Sequence, residues 1–217
     1  MILNIYKPTG WTSFDVVKKV RNIIHEKKVG HAGSLDPFAE GVLVIGTGKD
    51  TKQLATVTAS LKSYEAVLKL GCATATLDPT GSVTEKAAIP VLSAKRIEEV
   101  LQSFQGEQTQ IPPMYSAKKV AGQRLYKLAR KNITVEREPA QIIIHTIELL
   151  SWKPDTIEFR ATCSKGTYIR VLGADIAARL GTVGHLTKLV RTQVGKYTLE
   201  TALTIEELIT KWKSSAA

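Results

Sequence analysis

The chain has 217 residues, of which 43% are hydrophobic, a content that is normal for a globular protein with one substantial core. Thirty lysines and arginines against twenty acidic residues give a formal net charge of +10, which favours a polyanionic partner such as nucleic acid or an acidic membrane surface over a generically basic protein. The chain has no run of about 18 apolar residues, and its only cysteines, Cys72 and Cys163, are too far apart for a disulfide framework or a CxxC metal site. We therefore expect a single-domain, soluble, cytosolic protein without a membrane partner.

The first third of the chain predicts a basic helix, a glycine-rich loop and two strands. We expect Ser13 to be the N-cap of the helix, because apolar residues at helical spacing follow it and basic residues occupy the other faces. Residues 42–45 are apolar, rich in β-branched side chains and too few for a helix, so they predict a buried strand; residues 50–58 predict a short helix. From Lys62 to Leu70 the pattern alternates, with Tyr64 on the inward face, as in a half-buried strand.

The rest of the chain mixes helical and extended patterns. The predicted elements are a helix capped by Ser93 and stopped by Gly106, a helix over 122–132, strands over 140–152 and 156–163, a helix over 168–180 closed by Gly181, and a final helix behind a capping box of Thr204 and Glu207. These strands and helices interleave without a regular βαβ rhythm. The sequence therefore predicts an α+β fold with a central mixed, mainly antiparallel sheet flanked by helices and loops.

Residues 30–41, GHAGSLDPFAEG, combine three glycines, a histidine and an Asp-Pro pair in one loop. The following GTGKDT segment, residues 46–51, is not a phosphate-binding loop, because Leu43 before it and Asp50 within it stand where that motif needs glycine and serine or threonine. A metal site built on His31 and Asp36 is improbable, because the chain has four histidines and none is at ligand spacing. We expect neither a metal nor a cofactor.

The remaining interpretation is a carboxylate presented by the loop for chemistry. Pro37 disfavours helix at Asp36, and the flanking glycines allow a bulky ligand to approach the backbone closely. The alternative is an Asx turn in which Asp36 only caps its own loop. Local sequence alone favours neither.

Five segments of the chain resemble the TruB family of pseudouridine synthases. The loop and the strand after it, GHAGSLDPFAEGVLV, resemble the family's catalytic motif GHxGTLDPxAxGVLxV, in which the aspartate is essential. The other four segments follow in family order and are residues 7–13 (KPTGWTS), 63–81, 111–130 and 163–181. This resemblance implies a pseudouridine synthase fold with a basic active-site cleft. It also implies isomerisation of uridine to pseudouridine in the T-loop of tRNA, at nucleotide position 55.

The resemblance implies roles for three residues at the reacting centre. Asp36 is the catalytic carboxylate, and whether it attacks the sugar or the base or removes a sugar proton stays open. Arg170 matches the arginine that pairs with this aspartate, and a guanidinium there is expected to lower the pKa of Asp36 and orient it. Tyr64 matches the tyrosine that stacks on the target base. The alternatives are a surface cation for Arg170 and a core aromatic residue for Tyr64.

Further residues match positions that contact the substrate. His31 is expected to enter the space left by the flipped uridine, and Tyr168 and Leu189 to line the base pocket, with packing roles as the alternative for all three. Residues 108–135 contain six basic residues, two tyrosines and no acidic residue, a composition that suits RNA phosphates and unstacked bases. The lysines expected to contact phosphate are Lys52, Lys118 and Lys165.

The sequence departs from the family pattern in two notable places. Val190 replaces the first arginine of the usual LRRT segment, which we expect to weaken one RNA contact while leaving Arg191. The sequence also lacks the C-terminal PUA domain of most bacterial relatives, so we expect residues 1–217 to be a single catalytic domain, either naturally minimal or truncated. The expected partner is the T-arm stem-loop of tRNA, acted on by a monomer without protein partners.

Two rival functions fit the same resemblance. One is a non-catalytic RNA-binding or tRNA-folding module, and the other is a relative of the guide-RNA-dependent enzymes. The presence of Asp36, Tyr64 and Arg170 disfavours a pure binder, which does not need a carboxylate facing the RNA. The segment after Asp-Pro and the absence of long flanking extensions favour the stand-alone type over the guided type.

Overall fold

The structure is a computed structural model that describes residues 1–120 and 122–216. Within these residues the chain forms thirteen strands, six α-helices and two short 3₁₀ helices. In chain order the elements are β1 (Ile2–Lys7), α1 (Ser13–Ile24), β2 (Val29–Ala32), β3 (Glu40–Thr47), a 3₁₀ helix (Gly48–Gln53), α2 (Leu54–Ala59), β4 (Lys62–Leu70), β5 (Cys72–Thr74), β6 (Val83–Lys86), α3 (Ala94–Gln102), β7 (Gly106–Gln110), β8 (Lys119–Val120), β9 (Gln123–Arg124), α4 (Leu125–Ala129), β10 (Ala140–Lys153), β11 (Thr156–Cys163), α5 (Ile169–Arg179), β12 (Gly184–Val194), β13 (Tyr197–Thr198), a 3₁₀ helix (Leu199–Thr201) and α6 (Ile205–Ala216).

The chain divides into two compact units. The first contains residues Met1–Tyr64 and the chain from Leu189 onward, and the second contains Glu65–Lys188. The chain therefore passes between the units within β4 and again within β12. No helix of the described residues is both long enough and apolar enough to cross a membrane.

The first unit is built around β3, which is apolar on both faces. β3 pairs antiparallel with β1 and β2 and parallel with β12. Leu43 and Ile45 pack with α1 and α6 on one face, and Val42 and Val44 pack on the other. Burial on both sides explains why this strand is a continuous apolar run rather than an alternating one.

The N-cap of helix α1 lies one residue earlier than predicted. Thr12 is the N-cap: its hydroxyl accepts from the Asp15 amide at 3.1 Å, and the Asp15 carboxylate accepts from the Thr12 amide at 2.8 Å. This reciprocal capping box satisfies two of the donors that a helix start leaves open. The prediction of Ser13 as N-cap was wrong, because its hydroxyl bonds the neighbouring glycine-rich loop instead.

The second unit contains the predicted strands β10 and β11, most of β4, and β7, which was not predicted. β4, β11, β10 and β7 follow one another in that order, and β10 pairs antiparallel with β11 and with β7. Along β4 the buried positions alternate with half-exposed ones, as predicted. Together with the parallel β3–β12 pair of the first unit, these pairings confirm the mixed, mainly antiparallel sheet of an α+β fold.

The helix predicted over 122–132 is wrong. The residues described there form the two-stranded hairpin of β8 and β9, with Lys119 opposite Arg124, followed by the short helix α4. Gly122 has a φ of +81°, which is incompatible with a right-handed helix, so helix begins only at Leu125. Strands β1 and β12 had no counterpart in the prediction.

Candidate active site

The main-chain groups of the loop between β2 and β3 form hydrogen bonds that hold the loop in place. The Ser13 hydroxyl accepts from the Leu35 amide at 2.8 Å and donates to the Leu35 carbonyl at 3.2 Å. The Pro37 carbonyl accepts from the Gly10 amide at 2.7 Å, and the Asp36 carbonyl accepts from the Ala39 amide at 3.1 Å. The main chain on either side of Asp36 is therefore fixed, and its side chain is partly exposed.

Lys7, at the end of β1, is fully buried beside this loop. Its ammonium donates to the carbonyls of Pro8 at 2.9 Å and Trp11 at 2.6 Å, with Pro37 at 3.5 Å. Burial lowers the pKa of Lys7 to about 8, although the nearby Asp36 carboxylate acts to raise it. Lys7 lies within a motif that the sequence analysis used only for the resemblance, and its contact with the loop was not predicted.

Arg191, on β12, is a second buried cation at the same loop, with 1% of its surface exposed. Its side-chain nitrogens donate to the carbonyls of Val42 at 2.7 Å, Gly33 at 3.0 Å and Ser34 at 3.4 Å. A guanidinium buried in this way does not face RNA, so the expectation that Arg191 remains as an RNA contact was wrong. Its position in an RNA-binding motif gave no signal of this packing.

The structure explains why two positions of the loop, 33 and 41, need glycine. Gly41 pairs with Arg191 in the parallel β3–β12 ladder, and a Cβ on Gly41 would lie 2.3 Å from the Arg191 carbonyl oxygen. Gly41 also has a φ of +106°, and Gly33 has a φ of +76°, in the region that only glycine adopts freely. These glycines permit a tight loop against β12, whatever ligand approaches it.

In the second unit, Arg170 is buried at the start of α5 and has 2% of its surface exposed. One terminal nitrogen donates to the Thr76 carbonyl at 2.5 Å, and the other donates to the Tyr115 carbonyl at 2.9 Å. The Asp78 carboxylate lies 3.5 Å from the first nitrogen. The guanidinium is thus held in one orientation by two segments, residues 76–78 and Tyr115, and the surface-cation alternative is excluded by its burial.

Asp78, in the 63–81 segment, is a buried acid with several partners. Its Oδ1 accepts from the Thr76 hydroxyl at 2.6 Å, the Thr80 hydroxyl at 2.6 Å and the Thr80 amide at 2.9 Å. The preceding Leu77 has a φ of +60°, which is rare for a residue with a branched side chain. Strained backbone beside a buried ion pair is typical of a functional site.

The other residues expected at the reacting centre are divided between the units. In the first unit His31 lies on β2, Tyr64 is buried on β4 and Leu189 is buried on β12. In the second unit Tyr168 is the N-cap of α5, and its amide donates to the Gln110 side chain at 3.0 Å. Asp36 and Arg170 belong to different units, so their pairing remains a prediction from the resemblance.

The lysines expected to bind phosphate differ in exposure. Lys52 and Lys165 are exposed, whereas Lys118 is half-buried with its ammonium 3.4 Å from the Glu138 carbonyl. Most other basic side chains of the 108–135 segment are exposed: Lys119, Arg124, Lys127, Arg130 and Lys131. In this part of the second unit positive charge therefore faces solvent. Among the described residues, no group of three or more His, Cys, Asp or Glu is arranged to hold a metal ion.

Comparison with known proteins gives a consistent family match. The model described as TruB family pseudouridylate synthase (N terminal domain) matches residues 21–169. A tRNA pseudouridine synthase B of Bacillus licheniformis is 46% identical over 215 residues, covering 95% of this chain and 69% of the relative. A protein of the same name from Clostridium kluyveri is 47% identical over 207 residues, covering 95% of this chain and 71% of the relative.

Solved structures have the same fold. A chain in a Cbf5-Nop10-Gar1 complex superposes with a TM-score of 0.78 at 28% identity, covering all of this chain and 56% of the other. A chain in an H/ACA RNP bound to a substrate RNA containing 2′-deoxyuridine gives a TM-score of 0.74 at 25% identity and is covered to 55%. This chain thus spans a little over half of either neighbour.

Proposed function

This chain belongs to the TruB family of pseudouridine synthases, and from that premise we propose that it acts on the T-loop uridine at nucleotide position 55 of tRNA. It is an isomerase that converts uridine to pseudouridine in tRNA. The observation that carries the finer proposal is the fixed main chain around Asp36: a loop whose backbone is bonded on both sides of one carboxylate can present that carboxylate to a substrate with little reorganisation. An Asx turn is not needed to explain such a loop.

The reaction needs no net change in redox state. The bond between the sugar C1′ and N1 of uracil breaks, the base turns, and C1′ bonds to C5. The proton on C5 is lost and N1 is protonated in the product, so atoms and electrons balance without a cofactor. Asp36 is the group that acts on the sugar or the base, and a carboxylate is suited to covalent attack and to proton removal alike.

Arg170 is the proposed partner of Asp36. Its guanidinium is already oriented by the Thr76 and Tyr115 carbonyls and by the Asp78 carboxylate, so it needs little further ordering to bind a second carboxylate. A positive charge at Asp36 would keep the carboxylate ionised at neutral pH. We expect residues 1–217 to act as one catalytic domain.

The substrate uridine must leave the folded T-loop before Asp36 can reach it. In our proposal His31 fills the space that the uridine leaves, Tyr64 stacks on the base, and Tyr168 and Leu189 line the pocket around it. The exposed basic residues of the 108–135 segment bind RNA phosphates and form the wall of a basic cleft. Affinity for tRNA is then expected to fall as salt concentration rises.

An unmodified tRNA transcript tests this proposal against the rivals. The wild-type protein is incubated with the transcript and with a matched transcript that has cytidine at position 55, and pseudouridine is mapped by carbodiimide modification and primer extension. We expect one new stop, at position 55 of the uridine transcript only. Binding without product at any uridine would favour a non-catalytic module, and product at another uridine would overturn the assignment of position 55.

We propose that the protein works as a monomer on tRNA alone, in the cytoplasm. Neither Cys72 nor Cys163 forms a disulfide in the part of the chain that the structure describes, which is compatible with a reducing compartment. One structural neighbour is a chain in a Cbf5-Nop10-Gar1 complex, so a requirement for protein partners is the alternative. Product formation by the purified chain at nanomolar concentration supports the monomer, whereas activity that rises with the square of protein concentration contradicts it.

A further inference from the structure

The strongest unassigned feature is the side chain of Arg191. All three of its side-chain nitrogens donate to main-chain carbonyls, and it is among the least exposed large side chains of the described residues. Burying a guanidinium is costly, because the charge loses its hydration. A neutral side chain of similar volume would fill this space at lower cost if packing were the only requirement. Packing alone therefore does not explain why a charged side chain is buried here.

The carbonyls that Arg191 binds are placed at both ends of the catalytic loop. Gly33 and Ser34 lie where the chain enters the loop, and Val42 lies where it leaves the loop in β3. One planar guanidinium thus joins the two ends of a segment that contains Asp36. Because the guanidinium is planar and rigid, it fixes the distance between the two ends of the loop, whereas the flexible ammonium group of a lysine would not.

The sheet register explains how Arg191 reaches this place. Arg191 stands opposite Gly41 in the parallel β3–β12 pair, and the absence of a side chain on Gly41 allows the two backbones to approach closely. The Arg191 side chain then passes beside the loop, where a Cβ on Gly33 would be 3.6 Å from its Nη1. The loop, its glycines Gly33 and Gly41, and Arg191 therefore pack closely against one another.

The electrostatic environment links this guanidinium to the carboxylate. Arg191 acts to lower the pKa of Lys7 and Asp36 acts to raise it, so Lys7 lies close enough to interact with both charges. Two buried cations thus lie beside the loop that carries Asp36. A positive charge near a carboxyl group favours its ionised form.

We infer that Arg191 is a positioning residue, which closes the Asp36 loop at its base and so sets the place and the charge environment of the catalytic carboxylate. This inference rests on the proposed function of Asp36. Arg191 acts through the loop and does not touch RNA. The change to valine at position 190 is compatible with this role, because the neighbouring residue points to the other face of the strand.

The test compares Arg191→Lys and Arg191→Gln with Asn4→Ala. Asn4 also ties backbone in the first unit, through its amide to the Thr198 carbonyl and the Thr201 hydroxyl at 2.8 Å each, but it does not bond the loop. For each protein we would measure the single-turnover rate constant on tRNA, the Kd for tRNA and the thermal unfolding midpoint. Rates are measured at least 15 °C below the lowest midpoint, so that differences in unfolding do not enter.

We expect both Arg191 variants to lower the rate constant about tenfold or more, because displacement of a catalytic group by about 1 Å is enough for a 100-fold loss. The Kd for tRNA should stay within about twofold of wild type, since Arg191 is buried. Asn4→Ala should lower the unfolding midpoint without changing the rate constant. In Arg191→Gln the acidic limb of the pH–rate profile should also move to higher pH, because one positive charge near Asp36 is gone.

Three results would overturn the inference. Unchanged rate constants in folded Arg191 variants would make the residue purely structural. A weaker Kd with an unchanged rate constant would make it an RNA contact. An equal loss of rate in Asn4→Ala would show that any loss of stability has this effect. If Arg191→Gln does not fold, the conservative Arg191→Lys decides, and a wild-type chain without activity overturns the proposed function instead.

Discussion

The Asp78 carboxylate lies 3.5 Å from the guanidinium of Arg170, and both side chains are buried. The acid is in turn held by the hydroxyls of Thr76 and Thr80. A buried charge that has lost its counter-charge is strongly destabilising, so the two residues depend on each other. Asp78 therefore fixes the residue that we propose to orient Asp36, although Asp78 itself belongs to a different segment of the family motif.

Asp78→Asn should lower both stability and rate. The amide keeps an acceptor for the threonines but removes the charge beside Arg170, which in buried pairs costs roughly 3–5 kcal/mol. Chemical denaturation and single-turnover kinetics measure the two effects. The control is Asp155→Asn, which breaks the solvent-exposed Lys69–Asp155 pair and should change stability by less than about 1 kcal/mol. Equal effects of the two substitutions would show that the Asp78–Arg170 pair is no more important than a surface ion pair.

Arg170→Lys should lose far more rate than affinity. One lysine nitrogen does not reach the Thr76 and Tyr115 carbonyls together while also presenting a two-pronged surface to a carboxylate. We expect the rate constant to fall at least about 100-fold while the Kd for tRNA changes by less than about threefold. Stopped single-turnover assays and filter binding provide the two numbers. Parallel losses in both would contradict an orienting role.

Lys7 should produce an alkaline limb in the pH–rate profile. With its pKa lowered to about 8, the ammonium loses a proton near that pH and retains two N–H groups for three carbonyls, one of which belongs to Pro37. Besides burial, the charges that act on it are Asp36, Glu40 and Asp15, which raise the pKa, and Arg191, which lowers it. Activity is therefore expected to fall above pH 8.

The control for this limb is Lys7→Arg, because a guanidinium stays protonated throughout this range. Whatever its absolute rate, this variant should lack the fall near pH 8 when rates are measured between pH 6.5 and pH 9.5. The same limb in both proteins would assign it to another group, such as the substrate base, and would contradict the role of Lys7.

The lowered pKa of Lys7 also determines how the stability of the protein changes with pH. An unfolded chain keeps the lysine protonated up to its ordinary pKa of 10.5, whereas the folded chain releases the proton near 8. Between these values the unfolded state binds more protons, so this group makes the free energy of unfolding rise with pH. In urea titrations at pH 7.5 and 9.5, wild type should gain stability relative to Lys7→Met as pH rises. A relative loss would contradict the lowered pKa.

Gly41→Ala should be much more destabilising than Gly181→Ala. Both glycines have a positive φ, +106° and +90°, but a Cβ on Gly181 meets nothing within 4 Å, whereas one on Gly41 lies 2.3 Å from the Arg191 carbonyl oxygen. The left-handed conformation alone costs about 1–2 kcal/mol, and overpacking adds about 1–3 kcal/mol at Gly41. Unfolding midpoints in urea measure the difference. Equal losses would mean that β3 and β12 can separate without cost.

Sequence was sufficient for elements in which local pattern and tertiary environment agree. The alternation of Lys62–Leu70 gave a strand with the observed bounds, and the capping box of Thr204 and Glu207 forms as predicted. The helix predicted over 122–132 failed because Gly122 adopts a left-handed φ that helical periodicity does not reveal. Strand β12 was missed because polar and apolar residues do not alternate along it: its burial depends on neighbours distant in sequence.

The role of Asp36 is a prediction from its loop and its family motif, and the residues that support the loop were not predicted. The chemistry requires a particular residue type at a particular place, which is why a motif can indicate Asp36. The residues behind it, Lys7 and Arg191, bind main-chain carbonyls, and any residue type supplies a carbonyl. No pattern of side chains in the sequence therefore indicated these contacts. The local sequence around Asp78 also gives no indication of its partner, because Arg170 lies far away in the chain.

The most direct test of the catalytic role of Asp36 is the substitution Asp36→Asn, which keeps the size of the side chain and removes its negative charge. Pseudouridine at position 55 and the Kd for tRNA are measured on the same preparation, with Asp50→Asn as the matched control outside the loop. We predict that Asp36→Asn binds tRNA within about threefold of wild type and forms no product in a single turnover, while Asp50→Asn remains active. Product formed by Asp36→Asn at a rate close to that of wild type would contradict this catalytic role.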